Sequence, residues 1–210
     1  MLKILIVDDH VIVREGLKLI IKENPDMEVS GETGHGGEVL TKVLHQQFDL
    51  VLLDISMPGM SGLEVLKQLK KEKPDLPVLI LSMYPEEQYA VRALRAGASG
   101  YLTKEGASDE LIAAIRKVTR GGKYVSLSLA EKLASYLDEG TGIHPHEKLS
   151  DREFQVMMSI VTGKALKEIA AGMSLSIKTI STYKARILEK MQMKSDAELT
   201  RYAVKNDLVD

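Results

Sequence analysis

The chain has 210 residues, no cysteine and a formal net charge of −2, from 28 basic and 30 acidic side chains. That length suits one large or two small domains, each able to bury a core, and the lack of cysteine excludes disulfides and thiol chemistry. No apolar run approaches the roughly 18 residues needed to span a bilayer, and the start of the chain has no signal-peptide pattern, so a cytoplasmic protein with no membrane partner is expected.

The first apolar run, Ile4-Leu5-Ile6-Val7, stops at Asp8-Asp9. Aliphatic throughout, it reads as a strand over Lys3–Val7 buried on both faces. Further strands are expected at Met27–Glu32, Leu50–Leu53, Pro77–Leu81 and Gly100–Leu102, the third ending at Asp54. Between and after them lie amphipathic segments near 11–23, 37–46, 62–72, 86–96 and 108–120. Five βα units predict a doubly wound parallel sheet with helices on both faces. Ligand sites on such sheets form at the carboxyl ends of the strands. If the first and third strands are neighbours, Asp8, Asp9 and Asp54 meet there. Three converging carboxylates repel one another, and oxygen ligands alone favour a hard divalent cation such as Mg²⁺. A lone Asp after a strand is more often a turn residue or helix cap; the trio carries the metal reading. His10 reads as the start of the following helix, not as a ligand.

The period changes after Gly121-Gly122. Leu129, Leu133, Ala134 and Leu137 recur at helical spacing, with Ser126 or Ser128 as the cap, and Asp138–Glu147 reads as a flexible tether. The expected division is therefore 1–122, a linker helix and tether over 123–147, and a second domain over 148–210. From Leu149 onward only helices are expected. Ser150-Asp151-Arg152-Glu153 fits a capping box, with Leu149 and Phe154 as its hydrophobic staple. Gly163 closes that helix, Leu166–Met173 and Ile177–Met191 follow, and a second box at Ser195–Glu198 opens the last, Asp196–Asn206. The break at Ser174-Leu175-Ser176 is as short as a helix-turn-helix requires.

Charge is unevenly spread: residues 1–120 hold 15 basic against 18 acidic side chains, and residues 164–194 hold 7 against 2. Lys178, Lys184, Arg186 and Lys190 lie on the Ile177–Met191 helix beside small polar residues, the make-up of a major-groove helix. Helical spacing places Lys178, Ser181, Thr182 and Ala185 on one face, assigned to the groove, with Thr179 among the candidate DNA contacts. Lys184 and Arg186 are assigned to phosphates. Ile177, Ile180, Ile187, Leu188 and Met191 are assigned to the core. The plain alternative is a solvated charged face on an ordinary helical bundle.

Val7-Asp8-Asp9-His10, Asp54-Ile55-Ser56-Met57-Pro58-Gly59 with Gly62, Ser82, and Gly100-Tyr101-Leu102-Thr103-Lys104 together resemble the receiver domain of two-component response regulators, in order and at ordinary spacing over residues 1–120. Residues 148–210 are similar to the LuxR-type helix-turn-helix of the NarL/FixJ class. The resemblance implies a flavodoxin-like sheet of order 2-1-3-4-5 followed by an all-α domain of four helices. It implies that Asp54 accepts a phosphoryl group from a sensor histidine kinase. Asp9, Asp54 and the Ser56 carbonyl would then bind Mg²⁺ or Mn²⁺ directly, with Asp8 acting through water and Lys104 pairing with the phosphoryl oxygens. Ser82 and Tyr101 become the switch residues. Further implied are double-stranded DNA as ligand, a homodimer when phosphorylated, with Leu199, Tyr202 and Ala203 as its contacts (the alternative for these three being the core), and RNA polymerase as a further partner. Glu105 departs from the Pro common in receivers, and Ser181 and Tyr183 from the usual recognition-helix residues. Rival expectations are a regulator indifferent to phosphorylation and an adaptor working through protein contacts alone. A phosphohydrolase is disfavoured, because Ser56 stands where such enzymes usually carry a second carboxylate.

Overall fold

The computed structural model describes residues 1–127, 129–131, 144–206 and 208–209. The chain divides into two compact units, Met1–Leu133 and Ala134–Asp210.

In the first unit the strands are β1 (Leu2–Val7), β2 (Met27–Thr33), β3 (Leu50–Asp54), β4 (Val78–Ser82) and β5 (Gly100–Thr103). They form one parallel sheet in the order β2-β1-β3-β4-β5. The helices between and after them are α1 (Val11–Lys22), α2 (Gly36–His45), α3 (Gly62–Glu72), α4 (Glu86–Arg95) and α5 (Ala107–Thr119). β1 from Ile4 onward, β3 and β4 are continuous apolar runs because both faces are covered, whereas the edge strand β2 mixes Glu28, Ser30 and Glu32 with its apolar residues. Ile4, Ile6, Leu50, Leu52, Leu79 and Leu81 join Leu17, Ile21, Leu111 and Ile115 of α1 and α5 in one buried cluster. The alternate residues Leu5, Val7, Val51, Leu53 and Ile80 point to the opposite face and are equally buried. Several strands run a residue or two beyond their last apolar side chain: Asp54, Ser82 and Thr103 all belong to the ladder.

Beyond α5, Tyr124 makes a parallel bridge with Gly100, so the chain returns to the edge of β5 before leaving the unit. The expected linker helix begins at residue 127, and Ser126 is its cap, accepting from the Leu129 amide at 3.1 Å. Ser128 and residues 132–143, with most of the expected tether, lie outside the described residues. The end of that tether differs from expectation. Pro145–Lys148 form a 3-10 turn, because His146 is buried with Nδ1 2.7 Å from the Tyr202 hydroxyl and its ring beside Phe154.

The second unit holds α6 (Asp151–Val161), α7 (Leu166–Gly172), α8 (Ile177–Met191) and α9 (Asp196–Lys205). Ser150 and Glu153 form the expected capping box, and Leu149 and Phe154 of the staple are both buried. At the last helix only half the box forms: Ser195 caps the Glu198 amide, but the Glu198 carboxylate takes the Lys194 amide. The turn from α7 to α8 places Ser174 at φ 54°, a left-handed conformation on a residue with a side chain. Leu175 donates back to the Ala170 carbonyl at 2.9 Å, and the Ser176 hydroxyl receives the Thr179 amide at 3.1 Å, starting α8. Ile169, Ala170, Met173, Ile180 and Ile187 are buried around this turn.

Candidate functional site

Adjacent parallel strands bring the polar chain ends to one edge of the sheet. Asp8 and Asp9 follow β1, Asp54 and Ser82 are the last residues of β3 and β4, and Lys104 follows β5. Asp8 and Asp54 are 1 % and 2 % exposed. The Lys104 ammonium stands 2.7 Å from Asp8 Oδ2 and 3.2 Å from Asp54 Oδ2. Ligand atoms of Asp8, Asp9, His10 and Asp54 lie within 4.8 Å of one another. His10 is the N-cap residue of α1, as expected, yet its Nδ1 also lies 3.2 Å from Asp8 Oδ1 and 3.0 Å from Asp9 Oδ1.

One ammonium does not balance three carboxylates. Among the described residues, neither oxygen of Asp54 nor Oδ1 of Asp9 accepts an aligned hydrogen bond, although all three atoms are buried. Buried oxygens left in that condition are costly, and a divalent cation bound by oxygen satisfies them. The cluster can therefore hold a metal ion. Burial pushes the Asp54 carboxyl up to about 6; Lys104 pulls it down, the neighbouring Asp8 raises it, and the Ser56 amide lowers it.

The backbone around this pocket is tightly fixed. A Cβ on Gly62 would lie 1.9 Å from the Asp54 carbonyl oxygen, so only glycine lets α3 begin there. The Gly62 amide donates to the Ile55 carbonyl at 2.9 Å, and Ser61 with Glu64 forms a capping box. This closes the loop holding Ser56, Met57 and Pro58. Sequence reasoning missed Arg14, whose Nη1 donates to the Asp8 carbonyl at 2.7 Å and whose Nε faces Glu32. Its position one turn into α1 was the available signal, but nothing local marks an arginine that reaches back to a backbone carbonyl.

Ser82 is fully buried; its hydroxyl accepts the Tyr84 amide at 3.1 Å, and its carbonyl accepts the Lys104 amide at 2.8 Å. Tyr101 is turned inward and fully buried, donating to the Tyr84 carbonyl at 2.8 Å. Burial, the largest influence, pushes its phenol well above the ordinary value. The two residues expected to switch thus share one loop residue.

In the second unit Lys178, Ser181, Thr182, Ala185 and Arg186 are exposed along one side of α8. Ser181 and Thr182 currently donate to the carbonyls of Ile177 and Lys178, the usual resting bond of such hydroxyls. Other residues expected at the DNA, the core or the dimer contact are placed as follows. Thr179 is part of the cap, 2.8 Å from the Ser176 hydroxyl. Lys184 is paired with Asp196 at 2.6 Å, and Lys190 with the buried Glu153 at 2.6 Å, so both bind within the unit. Burial opposes ionisation of Glu153, but the Lys190 and Ser150 hydrogen bonds outweigh it and hold the carboxyl below its ordinary value. Ile177 is half exposed at the first turn of α8 rather than in the core. Leu199 and Ala203 are fully buried, which removes them from any surface, whereas Tyr202 is half-buried and bonded to His146.

Comparison with known proteins covers both units. Residues 4–116 match the response regulator receiver domain, and residues 147–203 match the bacterial regulatory proteins of the luxR family. The chain is 38 % identical to the oxygen regulatory protein NreC of Staphylococcus carnosus over the whole of both chains. It is 37 % identical to the response regulator GacA of Pseudomonas protegens, covering 100 % of this chain and 99 % of that one. Among solved structures, RcsB of Salmonella enterica serovar Typhimurium, bound to a promoter in the presence of the phosphomimetic beryllofluoride, is similar with a TM-score of 0.65 at 26 % identity. That likeness covers 96 % of this chain and 98 % of that one.

Proposed function

The chain belongs to the two-component response regulators that join a receiver domain to a LuxR-type DNA-binding domain, and from that premise we propose how its own residues divide the work of a phosphorylation-dependent DNA-binding regulator. Residues 1–122 act as the receiver, 123–147 as the connection and 148–210 as the DNA reader. A carboxylate oxygen of Asp54 attacks the phosphorus of a phosphohistidine on a sensor kinase. The P–N bond breaks, and an aspartyl phosphate forms. Asp9, Asp54 and the Ser56 carbonyl would hold Mg²⁺ or Mn²⁺, with Asp8 through water; the bound ion supplies charge neutralisation for the phosphoryl oxygens. Lys104, already against Asp8 and Asp54, is placed to pair with the incoming group. The only chemistry assigned to the protein is its own phosphoryl transfer and the loss of that group.

The supporting observation is the buried Asp54 carboxylate, lacking an aligned partner and facing one lysine at the carboxyl edge of a parallel sheet. In the second unit, Lys178, Ser181, Thr182 and Ala185 face the major groove and Arg186 a phosphate. A dimer on paired half-sites is proposed to form through the exposed line Ala197, Arg201 and Val204 of α9, replacing the buried Leu199 and Ala203. The setting is proposed to be the cytoplasm, with RNA polymerase as a further contact; among the described residues no helix is long and apolar enough to cross a membrane. The phosphoryl assignment is tested by incubating the full chain with Mg²⁺ and acetyl phosphate and mapping the product by mass spectrometry. One phosphoryl group on Asp54, absent from Asp54→Asn and much reduced in Lys104→Ala, is expected. Equal incorporation by Asp54→Asn would overturn it.

A further inference from the structure

After α5 the chain turns back and lies across the face made by α4, β5 and α5. β5 is the edge strand of the sheet, and such an edge exposes unpaired backbone groups unless something covers it. Here the cover is the chain's own next segment. The Tyr124 amide donates to the Ser99 carbonyl at 2.9 Å, and the Tyr101 amide donates to the Tyr124 carbonyl at 3.2 Å. The approach is close enough that a Cβ on Gly100 would lie 2.6 Å from the Tyr124 carbonyl oxygen. Side chains fasten the segment on either flank. Lys123 donates to the Ala98 carbonyl at 2.6 Å, the Tyr124 hydroxyl to Glu110 of α5 at 2.8 Å, and the Ser126 hydroxyl to Glu86 of α4.

We propose that the α4–β5–α5 face is a docking surface for residues 123–126 of the same chain, and that docking there and filling of the Asp54 pocket stabilise one another. The proposal rests on the receiver reading above. Its physical basis is a continuous set of bonds from the pocket to the segment. Lys104 is tied to the Ser82 carbonyl, the Ser82 hydroxyl to the Tyr84 amide, the Tyr84 carbonyl to the Tyr101 hydroxyl, and the Tyr101 amide to Tyr124. The second anchor is placed the same way: Glu86 is the first residue of α4, two residues past Tyr84. A ligand that fixes Ser82 and its loop therefore fixes both anchor points of the segment. Pocket and segment hold the same loop and strand from opposite ends, so ordering at either end favours the other, which sets the sign of the coupling. Because coupling between two binding events is reciprocal, loosening the segment must weaken the pocket by the same factor. Tyr124 and Ser126 are positioning residues in this scheme, since they act through Tyr101 and Glu86. They also begin the only covalent path toward the second unit.

Hydrogen exchange on the full chain, with Mg²⁺ present and beryllofluoride added or withheld, separates this from a static cover. The Tyr124 amide is expected to exchange at least about fivefold more slowly with beryllofluoride, the low end of ordinary coupling. Ser126→Ala and Glu86→Gln should speed its exchange and weaken apparent beryllofluoride affinity by matching factors. Unchanged or faster Tyr124 exchange, while the Tyr84 amide responds, would overturn the proposal and leave the receiver reading intact. No response at Tyr84 either would overturn both.

Discussion

Burial holds the Asp54 carboxyl at about 6 against an ordinary value of 3.8, so ionising it costs the folded protein free energy that the unfolded chain does not lose. The sign follows directly. An acid with a raised folded-state value contributes stability that is complete below about pH 4 and is lost as pH rises through about 6. Asp54→Asn cannot ionise. In metal-free buffer it should therefore be more stable than wild type above pH 6, by about 3 kcal/mol, with the difference vanishing near pH 4. Denaturant titrations across that range measure it, and Mg²⁺ should narrow the gap by stabilising wild type alone. Gly62 sets a steric condition on the same pocket. Gly62→Ala forces a methyl group against the Asp54 carbonyl and should cost about 2 kcal/mol or more, while lowering the Mg²⁺ affinity read by the same melts.

Among the elements, α8 shows how charge count and charge availability differ. Of its basic side chains, Lys184 and Lys190 already serve Asp196 and Glu153, while Lys178 and Arg186 are exposed. Lys178→Ala should lower the slope of log affinity against log salt by about 1. Lys184→Ala should change that slope less, and Asp196→Asn should raise it by releasing a cation. Lys190→Ala should leave the slope alone but destabilise the second unit by about 1 kcal/mol, because Glu153 keeps its burial and loses its partner. Fluorescence anisotropy at several salt concentrations, beside thermal melts, distinguishes these outcomes. None of these pairings is visible in the sequence. Lys184 and Asp196 are 12 residues apart, and Lys190 and Glu153 are 37 apart, so each depends on how two helices cross. Helical spacing likewise put Leu199 and Ala203 on one face of α9 and left core and dimer contact as alternatives, and their burial decides for the core.

At the scale of the whole chain, the first unit was legible nearly element by element. Apolar runs that stop at carboxylates mark strands, and the order of neighbours then decides what converges at the sheet edge. Asp8 and Asp54 were found this way, because each sits at a strand end, whereas Ser82 and Lys104 came from the resemblance to receiver domains. Arg14, Tyr124 and His146 escaped, since each acts through a contact distant in sequence: the Asp8 carbonyl, the β5 edge and the Tyr202 hydroxyl. The family assignment joins the two units, and the claim that matters most is that the state of Asp54 governs DNA binding by the other. The direct measurement is the affinity of the full chain for a palindromic duplex selected from random sequence, with Mg²⁺, with and without beryllofluoride, for wild type and Asp54→Ala. The expected result is binding at least about tenfold tighter with beryllofluoride in wild type, with two protomers per site, and no response in Asp54→Ala. Equal affinity in all four conditions would contradict it, leaving a DNA reader that ignores its phosphoacceptor.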